Sequence, residues 1–462
     1  MAAEEPPAVS SAEATARDPI AFLRSEADWL FAPDLATCLV GSQALALACR
    51  SAGEPGPQPL DLDLSWRLDV GAGTALLQDR DVFVATTEGN RARGTLAMKV
   101  GGRRIEITTL RGGDPDQSTA ERVAADLGER DMTIGALAFE LATAQLHDPH
   151  RGLEHWRQQR VVPVGDPAQR VREHPVRWLR YYRKAHELGF VLERSIRSLG
   201  LPPELLLDLP PEAIALELRA VLAKCASPGR CLLELHEDGV LATLAPELAR
   251  QFDGRPAGPQ RWHPEVSQAL HLTLALEWAV TRIAELDDRD RLAVLLAVLC
   301  HDLGKGYTRD AHLPSHPGHE RDGVPYVEQL LDRWPGLADP RARSLARDVC
   351  ALHVEVRHFD ELRPGTLADL YDSFFRAKDY PVELFAMAVA ADSAGRLGHE
   401  PQGVEIERRV AEDLRWLREV CASVDAGALR RQHADDLDGF RSALHQERAR
   451  ALAHGRQHRR GH

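Results

Sequence analysis

The chain has no CxxC pair among its seven cysteines, and their number is odd. Cys38, Cys49, Cys225, Cys231, Cys300, Cys350 and Cys421 are scattered without pattern. That argues against a disulfide framework and against a cysteine-bound zinc, and it points to a reducing cytoplasm. No apolar run is long enough to span a bilayer. The opening "MAAEEPPAVSSAEATAR" has no basic start followed by an apolar segment, so it does not read as a signal peptide. It reads as a disordered arm over residues 1–17. There is no internal repeat. There is also no general excess of basic charge, since the formal net charge is −13. Distribution matters more than the sum, however. Arg157, Arg160, Arg170, Arg172, Arg177, Arg180, Arg183, Lys184, Arg194 and Arg197 face only Asp166, Glu173, Glu187 and Glu193 in that stretch. This local stripe is either a solvated helix face or a track for nucleic acid.

At 462 residues the chain exceeds one core, and two or three domains are expected. Residues 18–150 read as an α/β head. "TCLVG", "LDLDLSW", "DVFVATT", "GTLAMKVGG" and "RRIEITTL" have strand character, with "VGGR" a tight turn. "STAERVAADLGERDMTIGALAFEL" has helical spacing throughout. From about residue 165 strand signals disappear, and apolar residues recur at three and four. The helical part divides into a neck and body over 151–255 and a second domain over 256–425. "FDGRPAGPQRWHPE" is the linker candidate near residue 255. Residues 426–462 form a helical and basic tail whose end, "HGRQHRRGH", reads as disordered.

Asp61 and Asp63 alternate with leucines in "LDLDLSW". In a strand both carboxylates share one face while the leucines enter a core. Such a pair marks either a wet strand edge or the seat of a divalent cation. Upstream, "CLVGSQALAL" is a strand running through Gly41–Ser42 into a helix, a turn that presents N–H groups to phosphate oxygens. Hard oxygen ligands beside a phosphate cradle suit Mg²⁺. Glu106 of "RRIEITTL" is the natural third carboxylate on an adjacent strand.

These motifs resemble the nucleotidyltransferase superfamily of the DNA polymerase beta kind. More narrowly, they resemble the bacterial class II tRNA nucleotidyltransferases (CCA-adding enzymes) and poly(A) polymerases. The family order is Gly-Gly/Ser, Asp-x-Asp, RRDxxxN and EDxxR. Here Gly41–Ser42 and Asp61/Asp63 stand for the first two. "DLGERDMTIGALAF" supplies Arg130 and Asp131, and "DPAQRVREHPVRWLRYYRKAHELGF" supplies Glu173 and Arg177. "HDPHRGLEHW" resembles the family's DPxxGxxDL segment. The resemblance covers about residues 20–425. It implies a DNA polymerase beta-like mixed sheet with helices, followed by an all-α neck and body. It also implies CMP and AMP transfer from CTP and ATP to the tRNA 3′ end, with Mg²⁺ at Asp61 and Asp63 and with Glu106 beside them. Gly41, Ser42, Arg130, Asp131, Glu173, His174, Arg177 and Arg180 fall to nucleotide binding. The basic stripe would track the acceptor arm, with binding that weakens steeply with salt.

The chain departs from the pattern. "GSQALAL" lacks the family's Arg and Asp, the segment from Ser42 to Asp61 is longer, and Glu129, Gly135 and His174 replace Arg, Asn and Asp. A carboxylate accepts from the amino group of C or A, whereas neutral imidazole accepts through one nitrogen only. Arg177 remains as donor.

"LAVLLAVLCHDLGKG" places His301–Asp302 at the end of an apolar helix, and imidazole and carboxylate together suit a metal. This segment resembles the HD phosphohydrolase domain, an all-α fold. Its metal set then maps onto His271, His301, Asp302 and Asp392, holding Mg, Mn or Ni. Lys305, His316, His319, His353 and His358 are candidates for phosphate or a second ion. "HPEVSQALH", "CHDLGKGYT", "PSHPGHERDGVPYVEQL", "LYDSFFRAKD" and "ADSAGR" are similar to the subgroup of CCA-adding enzymes with an HD domain. That resemblance implies 2′,3′-cyclic phosphodiesterase and phosphatase activities. Two alternatives stay open: a degenerate head that only binds RNA or nucleotide, with hydrolysis as the main activity, or transfer with altered specificity.

Overall fold

The computed structural model describes residues 18–59, 61–114, 116–375 and 379–459. The expected disordered arm over 1–17 lies outside them, as do Leu60 and the last three residues. The chain forms two compact units. One comprises residues up to Tyr181 together with Gly189–Gly200. The other comprises Tyr182–Leu188 and all residues from Leu201.

The first unit is built on a seven-stranded sheet in the order β3-β4-β5-β2-β1-β6-β7. Its strands are β1 Cys38–Val40, β2 Asp63–Trp66, β3 Val84–Ala85, β4 Thr95–Val100, β5 Arg103–Thr109, β6 Ala138–Glu140 and β7 Leu146–His147. β2 and β5 are parallel, and the other neighbours are antiparallel. Alternation drives β5. Ile105 and Ile107 are fully buried, while Arg104 and Glu106 face the other way. They join Leu39, Leu64, Trp66, Leu96 and Met98 in the main core. Gly101 and Gly102, both at positive φ, make the β4–β5 hairpin turn.

Three strand expectations change. "DVFVATT" yields only the two-residue edge strand β3, and Phe83 beside it is 67% exposed. The helical reading of 118–141 holds only over Thr119–Gly128, which starts with a Ser118–Glu121 capping box. Beyond Gly128 the chain turns and returns as β6 against β1, with Ala138 opposite Val40. Sheet pairing here outweighs the helix propensity of "ALAFEL". Past residue 165 one short strand remains: β9 Val191–Leu192 pairs parallel with β8 Arg160–Val161.

The second unit is helical. Helix Asp288–Cys300 is buried at every position from Leu292 onward, and helix Val382–Ala394 at nearly every position. Helices this apolar on all sides form the centre of a bundle. Gln268–Arg282 and Pro340–Arg357 pack against them. The linker candidate 252–265 lies within this unit, with Ala257, His263 and Glu265 buried. The tail is a helix, Leu437–Arg459, so "HGRQHRRGH" is ordered as far as Arg459. Leu452 is fully buried, and Arg456 donates to the carbonyls of Phe359 and Leu362. No described helix is long and apolar enough to cross a membrane. All seven cysteines are free and buried.

Candidate functional site

The first unit gathers three carboxylates at one end of the β2–β5 pair. Asp63 opens β2 and lies in register with Glu106 of β5. Neighbouring strands lie about 4.8 Å apart, so these side chains share one face. Asp61 precedes the strand, and its carbonyl accepts from Gln43 Nε2 at 2.9 Å. Gln43 is buried in the first turn of helix Ser42–Ser51. One side chain thereby ties the Gly41–Ser42 turn to the aspartates. Gly41 takes φ 63°, ψ −133°, a conformation closed to side-chain-bearing residues. Surrounding protein, then Asp61, then Glu106 push the Asp63 carboxyl above its ordinary value, and Arg130 opposes them. Arg104 offsets Glu106 at 2.9 Å. Clustered carboxylates with so little compensating charge have the chemistry of a divalent-cation seat.

Arg130 does not reach into this cluster as a free donor. Its Nη2 bonds Asp126 Oδ2 at 3.0 Å and Ser65 Oγ at 3.3 Å. Asp131 receives Arg177 Nε at 2.7 Å and Arg180 Nη1 at 2.9 Å. The expectation that Arg177 is available to donate to a base is corrected. It is 4% exposed, and four of its five N–H groups are directed at Asp131, Glu173 and the carbonyls of Glu129 and Arg170. Glu173 and His174 are exposed at the end of helix Pro167–Glu173.

The basic stripe is also less open than its sequence implies. Seven of its ten cations have carboxylate partners within their own unit: Arg157, Arg160, Arg170, Arg177, Arg180, Arg183 and Lys184. Glu54, Asp131 and Glu217, three of those partners, lie outside the stripe in sequence.

The second unit brings His271, His301, Asp302 and Asp392 together from two helices, Gln268–Arg282 and Val382–Ala394, and from the end of a third, Asp288–Cys300. His271 Nε2 lies 3.3 Å from Asp392 Oδ1 and 3.7 Å from Asp302 Oδ2. His301 Nε2 lies 3.1 Å from Asp302 and 4.0 Å from Asp392. His319 and His353 approach the other oxygen, Asp302 Oδ1, at 3.1 and 3.7 Å. The outer nitrogens are fixed by carbonyls: His301 Nδ1 on Val298, His319 Nδ1 on His316, His353 Nδ1 on Val349. A proton held at Nδ1 leaves the Nε2 lone pair pointing inward. His271, His301 and His319 Nε2 and Asp302 Oδ1 are buried without a hydrogen-bond partner. Buried polar atoms are as a rule paired, and four unpaired ones converging on one spot fit a metal centre.

The protonation states agree with that fit. Burial opposes ionisation of Asp302, but His301 and Lys305 outweigh it and hold the carboxyl well below the usual range. At Asp392 burial is outweighed by Arg357 and then His271. Burial lowers His353 to about 3, which keeps the imidazole neutral. His271 is raised by Asp392 and Glu265 against its burial, and a cation held there would take the place of that proton.

Other candidates separate. Lys305 Nζ contacts Asp302 Oδ2 at 2.7 Å and Ala257 O at 2.8 Å. His316 is corrected from ligand to cross-link, because its nitrogens engage Thr308 Oγ1 at 3.0 Å and Pro256 O at 2.8 Å. His358 is half exposed and pairs with Glu361. Sequence reading missed Glu265, which bonds His263 Nδ1 at 2.8 Å and His271 Nδ1 at 3.0 Å. It also missed Arg357 and Arg396, which face Asp392 at 2.7 and 3.9 Å. The segment "HPEVSQALH" contained the signal for Glu265, at six residues before His271. A cavity of about 430 Å³ opens onto this centre.

Residues 56–162 match the poly(A) polymerase head domain family, and residues 268–374 match the HD domain family. The second match stops short of Asp392, which the fold places 3.3 Å from His271. A multifunctional CCA protein of Alkalilimnicola ehrlichii is 37% identical over 341 residues, covering 71% of this chain and 76% of the relative. The Bacillus stearothermophilus CCA-adding enzyme in complex with CTP has a TM-score of 0.63 at 18% identity, over 97% of this chain and 94% of that one. The Thermotoga maritima CCA-adding enzyme complexed with tRNA gives 0.58 at 15% identity, over 96% and 92%. At such identities the two structures speak for the fold.

Proposed function

Because this chain belongs to the multifunctional CCA protein family, we propose that its first unit adds CMP and AMP, from CTP and ATP, to tRNA 3′ ends, and that its second unit hydrolyses phosphate esters. The observation that carries the first activity is the Asp63–Glu106 register, with Asp61 tethered to the Gly41–Ser42 turn. The second rests on unpaired imidazole nitrogens converging on Asp302 and Asp392. Both domain types are metal-dependent. Divalent cations, Mg²⁺ at the first centre and Mg, Mn or Ni at the second, supply charge neutralisation of phosphate and an acidified attacking oxygen.

In the first unit Asp61 and Asp63 would hold the cation that meets the triphosphate, and the Gly41–Ser42 turn faces phosphate oxygens. The terminal 3′-oxygen of the RNA bonds to the α-phosphorus. The bond from that phosphorus to the β-phosphate oxygen breaks, and pyrophosphate leaves. The hydroxyl proton passes to a carboxylate of the cluster and then to solvent. Base choice falls to the exposed Glu173–His174 edge. Arg177 acts through that edge as a positioning residue, since it grips Glu173 and Asp131. In the second unit water adds across a P–O bond of a 2′,3′-cyclic phosphate. Its oxygen bonds to phosphorus, and one ribose oxygen leaves with a proton. His271, His301, Asp302 and Asp392 hold the centre, while Lys305 balances Asp302.

Two assays on the full chain test this reading. Labelled CTP and ATP should extend tRNA lacking its 3′ end, and Asp63→Ala should lower extension at least a hundredfold. Adenosine 2′,3′-cyclic phosphate should be hydrolysed, with a similar loss in His301→Ala. A folded preparation that never extends tRNA sinks the first half. Extension without hydrolysis under any of the three metals sinks the second.

A further inference from the structure

The aromatic residue best placed at the histidine centre has no role in metal binding. Trp262 is 56% exposed, although a large indole is usually well covered. It lines the same cavity as Lys305, His319, His353, Arg357, Asp392 and Arg396. We propose that Trp262 is the platform on which the base of a nucleotide stacks, with Arg357 and Arg396 receiving its phosphate. This rests on the phosphohydrolase reading of the centre and names which part of the substrate that site recognises.

Three observations converge. The first is rigidity. The Trp262 amide donates to Pro259 O at 2.8 Å. The next residue, His263, is held by Glu265, which also bonds metal-site His271. Gly258 packs so tightly on His263 that an added Cβ would lie 2.3 Å from its ring. The indole is therefore indexed to the metal centre through a short buried chain of contacts. The second is charge. Lys305, Arg357 and Arg396 are balanced by Asp302, Asp392 and Glu265, so a divalent cation bound among those carboxylates would leave the wall positive. That positive charge suits a phosphate. The third is size. About 430 Å³ lies within the range of small-molecule sites, which is about 300–1,000 Å³, and so admits one nucleotide and not a duplex. An aromatic face beside a phosphate clamp is the arrangement that binds single nucleotides without base specificity. Free nucleoside 2′,3′-cyclic phosphate and an RNA end bearing the same group share this chemistry.

The test compares wild type, Trp262→Ala and Trp262→Phe on three substrates. These are adenosine 2′,3′-cyclic phosphate, a short oligoribonucleotide ending in that group, and glycerol 1,2-cyclic phosphate, which has no base. In Trp262→Ala the ratio of kcat/KM for nucleotide over glycerol ester should fall about five- to hundredfold, mostly through KM. Trp262→Phe should recover most of it. The two base-bearing substrates identify the source, by which of them shows the larger fall. A ratio unchanged within twofold for both overturns the platform. If wild type hydrolyses none of the three, the hydrolase reading fails by itself. Calorimetric titration with adenosine 2′-phosphate then decides the platform: weaker binding in Trp262→Ala supports it, and equal or absent binding overturns it.

Discussion

Asp131 shows how much one carboxylate organises. It accepts from Arg177 and Arg180 at 2.7 and 2.9 Å. Burial raises its carboxyl, but Arg180 and then Arg177 outweigh burial and hold it below the ordinary value. A carboxyl lowered by folding stabilises the folded state above the unfolded value, about pH 4, and the contribution is lost as pH falls through the folded value. Asp131→Asn should therefore cost about 2–3 kcal/mol near neutrality, because it removes the nearest carboxylate from the buried Arg177 cation. Urea midpoints measured from pH 7 to pH 3 should show the variant losing less on the acid side than wild type. The partnership was not legible in the sequence. Arg177 reads as a donor in "EHPVR", whereas its main acceptor stands 46 residues earlier. By contrast, Asp63 and Glu106 were legible because strand alternation alone puts each on the polar face.

At the scale of elements, two glycines set the second centre. Gly304 and Gly323 bring the turn Leu303–Tyr307 against helix His319–Arg333. A Cβ on Gly304 would lie 2.0 Å from His319 O and 2.8 Å from Gly323 N. Both are backbone atoms, so no side-chain rotation relieves the overlap. Gly304→Ala should cost about 1–3 kcal/mol. It should also draw His319 Nε2 away from Asp302 Oδ1, now 3.1 Å apart. Lower thermal stability and weaker Mn²⁺ binding by calorimetry are the expected results. A variant that melts and binds like wild type would show that the glycine contact does not set the centre. "HDLGK" announces the ligands, but the need for glycine next to them comes from the helix that crosses there.

For the whole molecule, electrostatics differ from the first impression of the chain. Net charge is −13, and the one basic stripe is mostly paired internally. Seven of ten cations already hold carboxylates, so few phosphates should be neutralised by this stripe. Each neutralised phosphate contributes about −0.7 to −0.9 to the slope of log K against log salt. For the proposed tRNA partner a slope well short of the roughly −8 of ten open cations is expected. Filter binding between 50 and 300 mM salt, concentrations of the order at which such slopes are read, measures it directly. A slope near −8 would mean that RNA displaces these internal partners.

The sequence alone determined what depends on local spacing. Period-two alternation placed Asp63 and Glu106, three-and-four spacing marked the helical half, and adjacency fixed His301 beside Asp302. The ordered motifs added the family, and with it His271 and Asp392. Tertiary structure alone decided what depends on distant partners. It turned Arg177 and His316 from free groups into braces, paired most of the stripe, folded the tail onto the second unit and linked Glu265 to His271. The reason is physical: a residue's chemistry follows its type and neighbours in sequence, but its availability depends on which hydrogen-bond and charge partners the fold brings within about 3 Å.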